Sequence, residues 1–372
     1  MTQAAAAPNR WRELALNLLV AIVSTLVFLA VLEGGARLAG QKPCSGPAPQ
    51  QTEGTGSKVR AHPVRQYELV PGSTFAFERD VAVRHGLSPD YLDTWDKITY
   101  HVNSLGMRGA EASAAKPTDA YRILVLGDSV AFGWGIEEQD TLSAQLQARL
   151  HAPVGQRLEV WNAGVPGYAT WQELAYLTEK GAALRPDLAV LAFLFNDVDG
   201  NSEAAQTEPL GLSRLGQALT LWTRKSAFLC FLRNKALEFR LKTLNPCQGP
   251  NCWEATQVDL DGLVAQANKL GSRLVLVAFP MRLQLEPNAE PGYYDRALGS
   301  NPQQNYQDVI ARLCRERRIP YLDLLPAFQQ AMAQRPSTLF LDADHPNAAG
   351  SRVAAQAMAE FIEQQLPIAS HQ

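Results

Sequence analysis

A serine and a distant histidine are the residues of this chain whose types and spacing could do chemistry together. Ser129 follows a short apolar run at 121–126 and the step Gly127-Asp128. Far along the chain, Asp342 and His345 are separated by two residues. A serine hydroxyl is a weak nucleophile near neutral pH until a base accepts its proton, and a carboxylate can orient that base. The pattern predicts a serine hydrolase or an acyltransferase, although Ser129 or His345 could also serve as helix caps.

The elements that must position these residues begin near residue 121. Apolar, strand-like runs occupy 121–126, 158–162, 188–195, 273–279 and 320–323. Helical patterns fill the gaps at 141–150, 170–184, 257–270, 303–317 and 348–365. Strands that alternate with helices predict an α/β fold, here a three-layer α/β/α sandwich with about five mostly parallel strands. Ser129 would lie at the carboxyl end of its strand, where such sheets bind ligands.

Four short blocks occur in order along the chain and together indicate a family. They are Gly127-Asp128-Ser129, Asn162-Ala163-Gly164-Val165-Pro166-Gly167-Tyr168, Phe195-Asn196-Asp197 and Asp342-Ala343-Asp344-His345. This arrangement resembles the SGNH/GDSL hydrolase superfamily over about residues 115–365. The sequence at 103–109 also looks like that of membrane-anchored bacterial members of the superfamily. There is no Gly-x-Ser-x-Gly elbow, which argues against the α/β-hydrolase fold.

The resemblance implies a role for each matching residue. Ser129 would be the nucleophile, His345 the general base, and Asp342 the residue that orients the imidazole. The oxyanion hole would consist of the backbone N–H groups of Ser129 and Gly167 and the side-chain amide of Asn196. Preorganised donors of this kind stabilise the tetrahedral intermediate of acyl transfer. Neither a cofactor nor a metal is implied.

Some positions in these blocks keep alternatives open. Gly164 could replace Gly167 as the oxyanion glycine, and Asp344 could replace Asp342 as the orienting acid. Asp128 is expected to bind loop amides rather than react, and Asp197 is expected to support Asn196. Leu194 stands where the family commonly has glycine, which would narrow the substrate channel.

An apolar segment near the N-terminus predicts attachment to a membrane. Residues 15–32 carry no charge, enough to cross most of a hydrocarbon core of about 30 Å. We therefore expect a cytoplasmic N-terminus at 1–14 and a single-pass anchor at 15–33, with the catalytic domain in the periplasm. A cleaved signal peptide and a buried helix are the alternatives.

The remaining chain divides by composition. Residues 41–60 are rich in Pro, Gly, Ser and Gln and predict a linker, followed at 61–120 by an extension of short strands and loops packed on the main domain. The hydrolase domain is expected at 121–368, with a helical insertion at 201–256. The apolar and basic pattern at 215–244 fits a cap over the active site, an amphipathic helix on anionic lipid, or a solvated helix.

Composition and cysteine content limit the function classes. Of 372 residues, 46% are hydrophobic, and the 34 basic and 37 acidic residues include no dense basic block, so a nucleic-acid partner is not expected. Cys247 and Cys252 could form a small loop disulfide or remain two thiols, whereas Cys230 and Cys314 fit buried thiols. No Cys/His spacing typical of zinc is present.

These features predict a membrane-tethered, extracytoplasmic serine esterase or O-acyltransferase with an acyl-serine intermediate. The family resemblance implies an acylated carbohydrate as the substrate, above all acetylated envelope polysaccharide, or else a lipid or small ester. An envelope protein partner is a further expectation. The alternatives are a catalytically silent scaffold or assembly subunit of an envelope complex and, less favoured, a peptidase with the same residues.

Overall fold

The computed structural model describes residues 10–40, 58–78, 97–200, 226–229, 232, 252–289, 306–335 and 337–365. The strands are β1 (Val59–His62), β2 (Gln66–Leu69), β3 (Thr74–Glu78), β4 (Lys97–His101), β5 (Ala120–Gly127), β6 (Arg157–Asn162), β7 (Leu188–Phe193), β8 (Arg273–Ala278) and β9 (Tyr321–Asp323). The helices are α1 (Arg10–Leu38), α2 (Ser129–Phe132), α3 (Leu142–Arg149), α4 (Thr170–Leu184), α5 (Asn196–Gly200), α6 (Cys252–Leu270), α7 (Tyr306–Arg317), α8 (Leu325–Gln334) and α9 (Ala348–Gln365).

A five-stranded parallel sheet in the order β6-β5-β7-β8-β9 forms the centre of the fold. β5 lies between two partners, with Val125 opposite Asn162 on β6 and Gly127 opposite Ala192 on β7. Every residue of β7 is buried, as expected for a strand covered on both faces. The predicted α/β fold with about five parallel strands is therefore confirmed.

Helices cover both faces of the sheet. Helix α9 contacts α3 and α8, while α6 contacts α4 and α7. Right-handed crossovers explain this division, because the chain moves one way across the sheet from β5 to β6 and the other way afterwards. Helix α8 is not in the predicted set, and the strand expected at 188–195 ends at Phe193, where the N–H of Leu194 donates to Asp197 instead.

A glutamine side chain completes the hydrogen bonding of the edge strand β6. Gln147 of α3 donates from Nε2 to the Leu158 carbonyl at 3.2 Å and accepts from the Val160 N–H at 2.8 Å. Near the end of the same strand, Arg108 forms a β-bridge with Asn162. Backbone groups that would otherwise face an open edge are thus paired.

Two hairpins, β1–β2 and β3–β4, precede the sheet in sequence. From β3–β4, Phe77 lies 4.5 Å from Trp134 between ring centroids, and Tyr100 lies 5.1 Å from Phe132. Trp134 and Phe132 both belong to the segment that follows Ser129. Aromatic pairs at these distances add to the burial energy, so the second hairpin supports that segment.

The chain separates into two compact units, one formed by residues 1–46 and 210–244 and the other by the remaining residues. In the first unit, α1 has 29 residues and is about 44 Å long at 1.5 Å per residue. Residues 16–38 of this helix have a mean hydropathy of 2.3, which suits a membrane span, although a signal sequence has the same apolar character. The Glu33 carboxylate accepts from the Ser226 hydroxyl at 2.7 Å and from the Ala227 N–H at 3.0 Å.

Two predictions concern residues that lie largely outside the described ranges. Most of the insertion 201–256 is not described, so the cap and lipid-binding alternatives remain predictions. Cys230 and Cys247 are also not among the described residues, and a disulfide between Cys247 and Cys252 stays untested. Cys314 is buried, as predicted, and burial raises the pKa of its thiol to about 12.

Three acidic side chains are buried where α4, α5 and α6 meet, namely Glu173, Asp197 and Asp259. At least one carboxyl oxygen of each has no hydrogen-bond partner among the described residues. Burial, and then the neighbouring carboxyl groups, raise the pKa values of Glu173 and Asp197 well above their usual range. Burial raises the pKa of Asp259 to about 7. At high pH, ionisation of these buried acids therefore costs free energy in the folded protein.

Replacing Asp259 with asparagine should stabilise the protein at pH 8. Because the folded-state pKa lies above the unfolded value, the free-energy penalty of ionising Asp259 grows as pH rises from about 4 to about 7 and is at its full value above 7. We expect Asp259→Asn to raise the free energy of unfolding by about 1–3 kcal/mol at pH 8 and much less at pH 5. Urea unfolding of the detergent-solubilised full-length protein measures this difference.

Asp261→Asn is the matched control on the same helix. Asp261 is exposed and pairs with Arg317 at 2.8 Å, so its loss should change stability by under about 1 kcal/mol, without the same pH trend. Equal effects of the two substitutions at both pH values would contradict the burial argument.

Candidate active site

The turn from β5 into α2 places Ser129 at the carboxyl end of the central strand. Gly127 has φ +151°, and a Cβ there would lie 2.7 Å from that of Ala131 and 2.9 Å from the Ala192 carbonyl oxygen, so only glycine fits. Asp128 caps α2 by accepting from the Val130 N–H at 2.8 Å. The turn thus fixes the Ser129 backbone, and 8% of the residue is exposed.

His345 links Ser129 to Asp342. Its Nε2 lies 2.8 Å from the Ser129 Oγ, and its Nδ1 lies 2.8 Å from Asp342 Oδ2 and 3.0 Å from Oδ1. With Nδ1 as the donor to the carboxylate, Nε2 is the acceptor that faces the hydroxyl. The geometry favours Asp342 over the alternative Asp344, since Nδ1 is directed at Asp342.

The loop that carries His345 is held by its own side chains. Asp342 Oδ1 accepts from the backbone N–H groups of Asp344 at 2.9 Å and His345 at 2.8 Å. Asn347 caps α9, accepting from the Gly350 N–H at 3.0 Å, while its Nδ2 donates to the Thr338 carbonyl at 2.9 Å. The imidazole is therefore fixed from both sides of the turn.

The two members of the His345–Asp342 pair shift each other's pKa in opposite directions. Burial alone would lower the pKa of His345, but the Asp342 carboxylate outweighs it and raises the pKa to about 9. Burial would raise the pKa of Asp342, but the histidine and the backbone donors hold it below its usual value. Asp342 is thus charged at neutral pH, and the imidazolium form of His345 is stabilised.

Gly167 and Gly164 differ in what their N–H groups do. The Gly164 N–H donates to Asn162 Oδ1 at 3.0 Å, and a Cβ on Gly164 would overlap the Phe132 backbone nitrogen. Gly167 has φ +80°, and within the described part of the chain neither its N–H nor that of Ser129 has an acceptor. Gly164 is needed for close packing, and Gly167 is the glycine with an available donor.

Asn196 begins α5 beyond the end of β7 and is held by Asp128. Its Nδ2 donates to Asp128 Oδ2, which leaves the second N–H of the amide for another acceptor. Asp197 makes no hydrogen bond to the Asn196 side chain among the described residues; its Oδ2 accepts from the Leu194 N–H at 2.9 Å, across the turn that contains Asn196, and its support of Asn196 stays a prediction. Asp128 binds a loop amide as expected, and burial raises its pKa.

A small cavity of about 10 Å³ lies against Ser129 and His345. Most of the other lining residues are apolar, and they are Val130, Gly133, Trp134, Ile136, Leu142, Phe279, Pro346 and Ser351. Leu194 is buried but is not among them. The space is comparable to one water molecule.

The site thus combines a hydroxyl bonded to an imidazole, two backbone donors and an amide at the carboxyl edge of a parallel sheet. Among the described ranges, no group of three or more His, Cys, Asp or Glu residues is arranged to hold a metal ion. Neither Phe279 in the cavity lining nor the hydrogen bond between Asn196 and Asp128 was predicted from the sequence. The arrangement is suited to nucleophilic attack by Ser129 on an acyl carbon.

Comparison with solved structures finds chains that align with about two thirds of this one. TesA is 17% identical, with a TM-score of 0.41 and coverage of 66% of this chain and 99% of that one. A catalytic mutant of Axe2, an acetylxylan esterase from Geobacillus stearothermophilus, is 18% identical, with a TM-score of 0.42 and coverage of 65% and 94%. A two-domain esterase active on acetylated mannans is 13% identical, with a TM-score of 0.40 and coverage of 66% and 49%.

None of the curated proteins compared with this chain matches its sequence. The sequence model of the GDSL-like Lipase/Acylhydrolase family does match, over residues 125–353, which is more than half of the chain. This range includes Ser129, Gly167, Asn196, Asp342 and His345. The chain belongs to the GDSL-like lipase/acylhydrolase family.

Proposed function

We propose that the protein is a membrane-tethered serine esterase or O-acyltransferase that forms an acyl intermediate on Ser129. The observation that carries this proposal is the hydrogen-bond chain from Ser129 Oγ to His345 Nε2, and from His345 Nδ1 to Asp342, with both steps at 2.8 Å. Separations of this kind allow proton transfer from the hydroxyl to the imidazole as the nucleophile attacks.

In the first half-reaction, Ser129 Oγ bonds to the ester carbonyl carbon and its proton passes to His345 Nε2. The oxyanion accepts hydrogen bonds from the N–H groups of Ser129 and Gly167 and from the Asn196 amide. Collapse breaks the ester bond, and the imidazolium of His345 protonates the leaving alkoxide. Asp342 stabilises that imidazolium throughout, in line with the raised pKa of His345.

In the second half-reaction, His345 removes a proton from the acceptor, whose oxygen attacks the acyl-Ser129 carbonyl. Collapse of this intermediate breaks the bond to Ser129 Oγ, which takes back the proton from His345. Water as the acceptor gives hydrolysis, and a sugar hydroxyl gives transfer. Both outcomes use the same residues, so the distinction depends on how well the site excludes water. Acylated carbohydrate is the proposed substrate class, with lipid or small esters as the competitor.

The size of the cavity beside Ser129 supports a short acyl group. Its volume of about 10 Å³ is comparable to a methyl group and its lining by Val130, Ile136 and Leu142 is apolar, so a longer acyl chain would have to displace these side chains or extend out of the cavity. Acetyl esters are therefore the proposed acyl donors, and acetylated envelope polysaccharide is the proposed natural substrate.

Helix α1 supports tethering to a membrane, with the catalytic domain proposed to lie in the periplasm. The apolar side chains of α1, including Leu19, Val27 and Phe28, are exposed along the helix. A helix about 44 Å long that exposes such residues suits a hydrocarbon environment. The cleaved signal segment is the alternative that N-terminal sequencing of the mature protein distinguishes.

Ser129→Ala should abolish both turnover of p-nitrophenyl acetate and labelling by a fluorophosphonate probe, since no other activated hydroxyl is proposed. Ser143→Ala is the matched control, because Ser143 is also buried and its hydroxyl has no partner in the described chain. It should label like the wild type. Gel fluorescence of the full-length protein in detergent reports labelling, and undiminished labelling of Ser129→Ala would remove the basis of the proposal.

The pH dependence of kcat/KM should follow the ionisation of His345. The base must be neutral, and its pKa is raised to about 9, so kcat/KM for p-nitrophenyl acetate should rise from pH 7 toward 9 and then level off. Asp342→Asn removes the charge that raises this pKa. The midpoint should therefore move to lower pH, while the plateau falls by about 10²-fold or more.

The Ser129→Ala protein supplies the blank for spontaneous ester hydrolysis at each pH. An unchanged midpoint in Asp342→Asn would show that Asp342 does not set the ionisation of the base.

Selectivity for acyl length should follow the cavity. We expect kcat/KM to fall at least about tenfold from p-nitrophenyl acetate to the octanoate, since a longer chain must displace packed side chains. Ile136→Ala removes part of the wall and should reduce this ratio, whereas Ile319→Ala, which truncates a buried isoleucine outside the cavity lining, should not. If the acetate-to-octanoate ratio of kcat/KM is the same in Ile136→Ala and Ile319→Ala, the cavity does not determine the selectivity for acyl length.

A further inference from the structure

The hairpin β1–β2 binds the loop that carries Gly167 on both sides of that glycine. The Tyr67 hydroxyl donates to the Pro166 carbonyl at 3.0 Å, immediately before Gly167. Immediately after it, the Tyr168 hydroxyl donates to the backbone carbonyl of Tyr67 at 2.6 Å. The two tyrosine rings meet edge to face with centroids 5.3 Å apart. Two side chains thus close a ring of contacts around one glycine.

The hairpin itself is anchored by the buried side chain of Arg65. Its guanidinium donates to the Tyr168 hydroxyl at 2.9 Å, to Glu68 at 2.9 Å and to Glu179 on α4 at 2.8 Å. The Arg65 carbonyl accepts from Gln172 Nε2, also on α4, at 2.9 Å. Breaking a buried, paired charge is strongly unfavourable, so Tyr67 is presented from a fixed support.

The carbonyl that Tyr67 binds belongs to the same peptide group as the Gly167 N–H. A peptide group is planar and trans, so its C=O and N–H point in opposite directions. A donor that fixes the Pro166 oxygen therefore also fixes the direction of the Gly167 hydrogen. It also polarises the amide, which strengthens the N–H as a donor. Gly167, at φ +80°, has backbone freedom that other residues lack, so its orientation needs such a restraint.

The surroundings of Tyr67 keep its hydroxyl in place as a neutral donor. Burial raises the pKa of the phenol far above its usual value, so it stays protonated at any pH where the protein would act. The hydroxyl oxygen lies 2.8 Å from the point where a Cβ on Gly167 would be. The phenol therefore packs directly against the glycine as well as bonding to its peptide group.

We propose that Tyr67 is a positioning residue for the oxyanion hole, aiming the Gly167 N–H through its hydrogen bond to the Pro166 carbonyl. This inference rests on the proposed function, since it needs an acyl-transfer site in which Gly167 stabilises the oxyanion. It makes part of the sequence before residue 120 a component of the active site. Tyr67 does not touch the substrate; it acts through the Pro166–Gly167 peptide group.

The test is the kinetics of Tyr67→Phe, which removes only the hydroxyl. Losing an oxyanion donor outright lowers the rate by about 10²–10³-fold, and we expect misaiming one of three donors to lower kcat by about 5- to 50-fold. KM should change less than about twofold, because the interaction is made in the transition state. The substrate is p-nitrophenyl acetate with full-length protein in detergent, and rates are divided by the fraction that a fluorophosphonate probe labels.

Tyr176→Phe is the matched control. Tyr176 belongs to the same buried group, with its ring 5.1 Å from the Arg65 guanidinium, but its hydroxyl has no partner within the described residues. Its removal should leave kcat unchanged. A second variant restores the donor: 4-aminophenylalanine incorporated at position 67 should recover most of the lost kcat, which a purely structural role would not require.

The outcomes separate this inference from the proposed function. If Ser129→Ala is inactive and Tyr67→Phe keeps a wild-type kcat per labelled site, the positioning role is overturned and the proposed function stands. Equal losses in Tyr67→Phe and Tyr176→Phe, or no recovery with 4-aminophenylalanine, also overturn it. If Ser129→Ala retains activity, the proposed function itself fails. A lowered kcat confined to Tyr67→Phe, with recovery by the amino analogue, supports the inference.

Discussion

The buried carboxylate of Asp128 joins the two chain segments on which the site depends. It lies between β5 and α2, caps the helix that begins at Ser129, and accepts a hydrogen bond from the Asn196 amide beyond β7. β5 and β7 are neighbours in the sheet, so the two segments arrive side by side. A buried charge is tolerated only when donors surround it, and here the donors are groups whose positions the chemistry requires. The free-energy cost of burying Asp128 is thus accompanied by fixed positions for the Ser129 turn and the Asn196 amide.

The parts of the fold that follow from local pattern were predictable from the sequence. β5, β7 and β8 are nearly continuous apolar runs because helices cover both faces, and this pattern identifies buried parallel strands. The end of β7 was not predictable, since it depends on a hydrogen bond from Leu194 to Asp197 that hydrophobicity does not encode. Helix α8 was missed because its early proline, which is favoured in the first turn, also reads as a breaker.

The candidate site divides in the same way. Short motifs with fixed spacing identified Ser129, Asp342 and His345 as candidates, and the structure brings their side chains within hydrogen-bond distance. The support from Tyr67 had no signal, because a contact between residues about a hundred positions apart leaves no periodicity in either segment. The link from Glu33 to Ser226 is of the same kind. Long-range polar contacts of this sort appear only once the chain is folded.

The pairing of β6 with the Gln147 side chain has a consequence for how copies of the protein behave toward each other. An exposed strand edge is a template onto which a strand from another chain can add, and such addition leads to aggregates. On β6, the Leu158 carbonyl and the Val160 N–H already have partners within the same chain. At the opposite edge, β9 is only three residues long, too short to offer an extended template. Both edges of this open sheet are therefore protected, and addition of a strand from another chain is disfavoured at β6 and at β9.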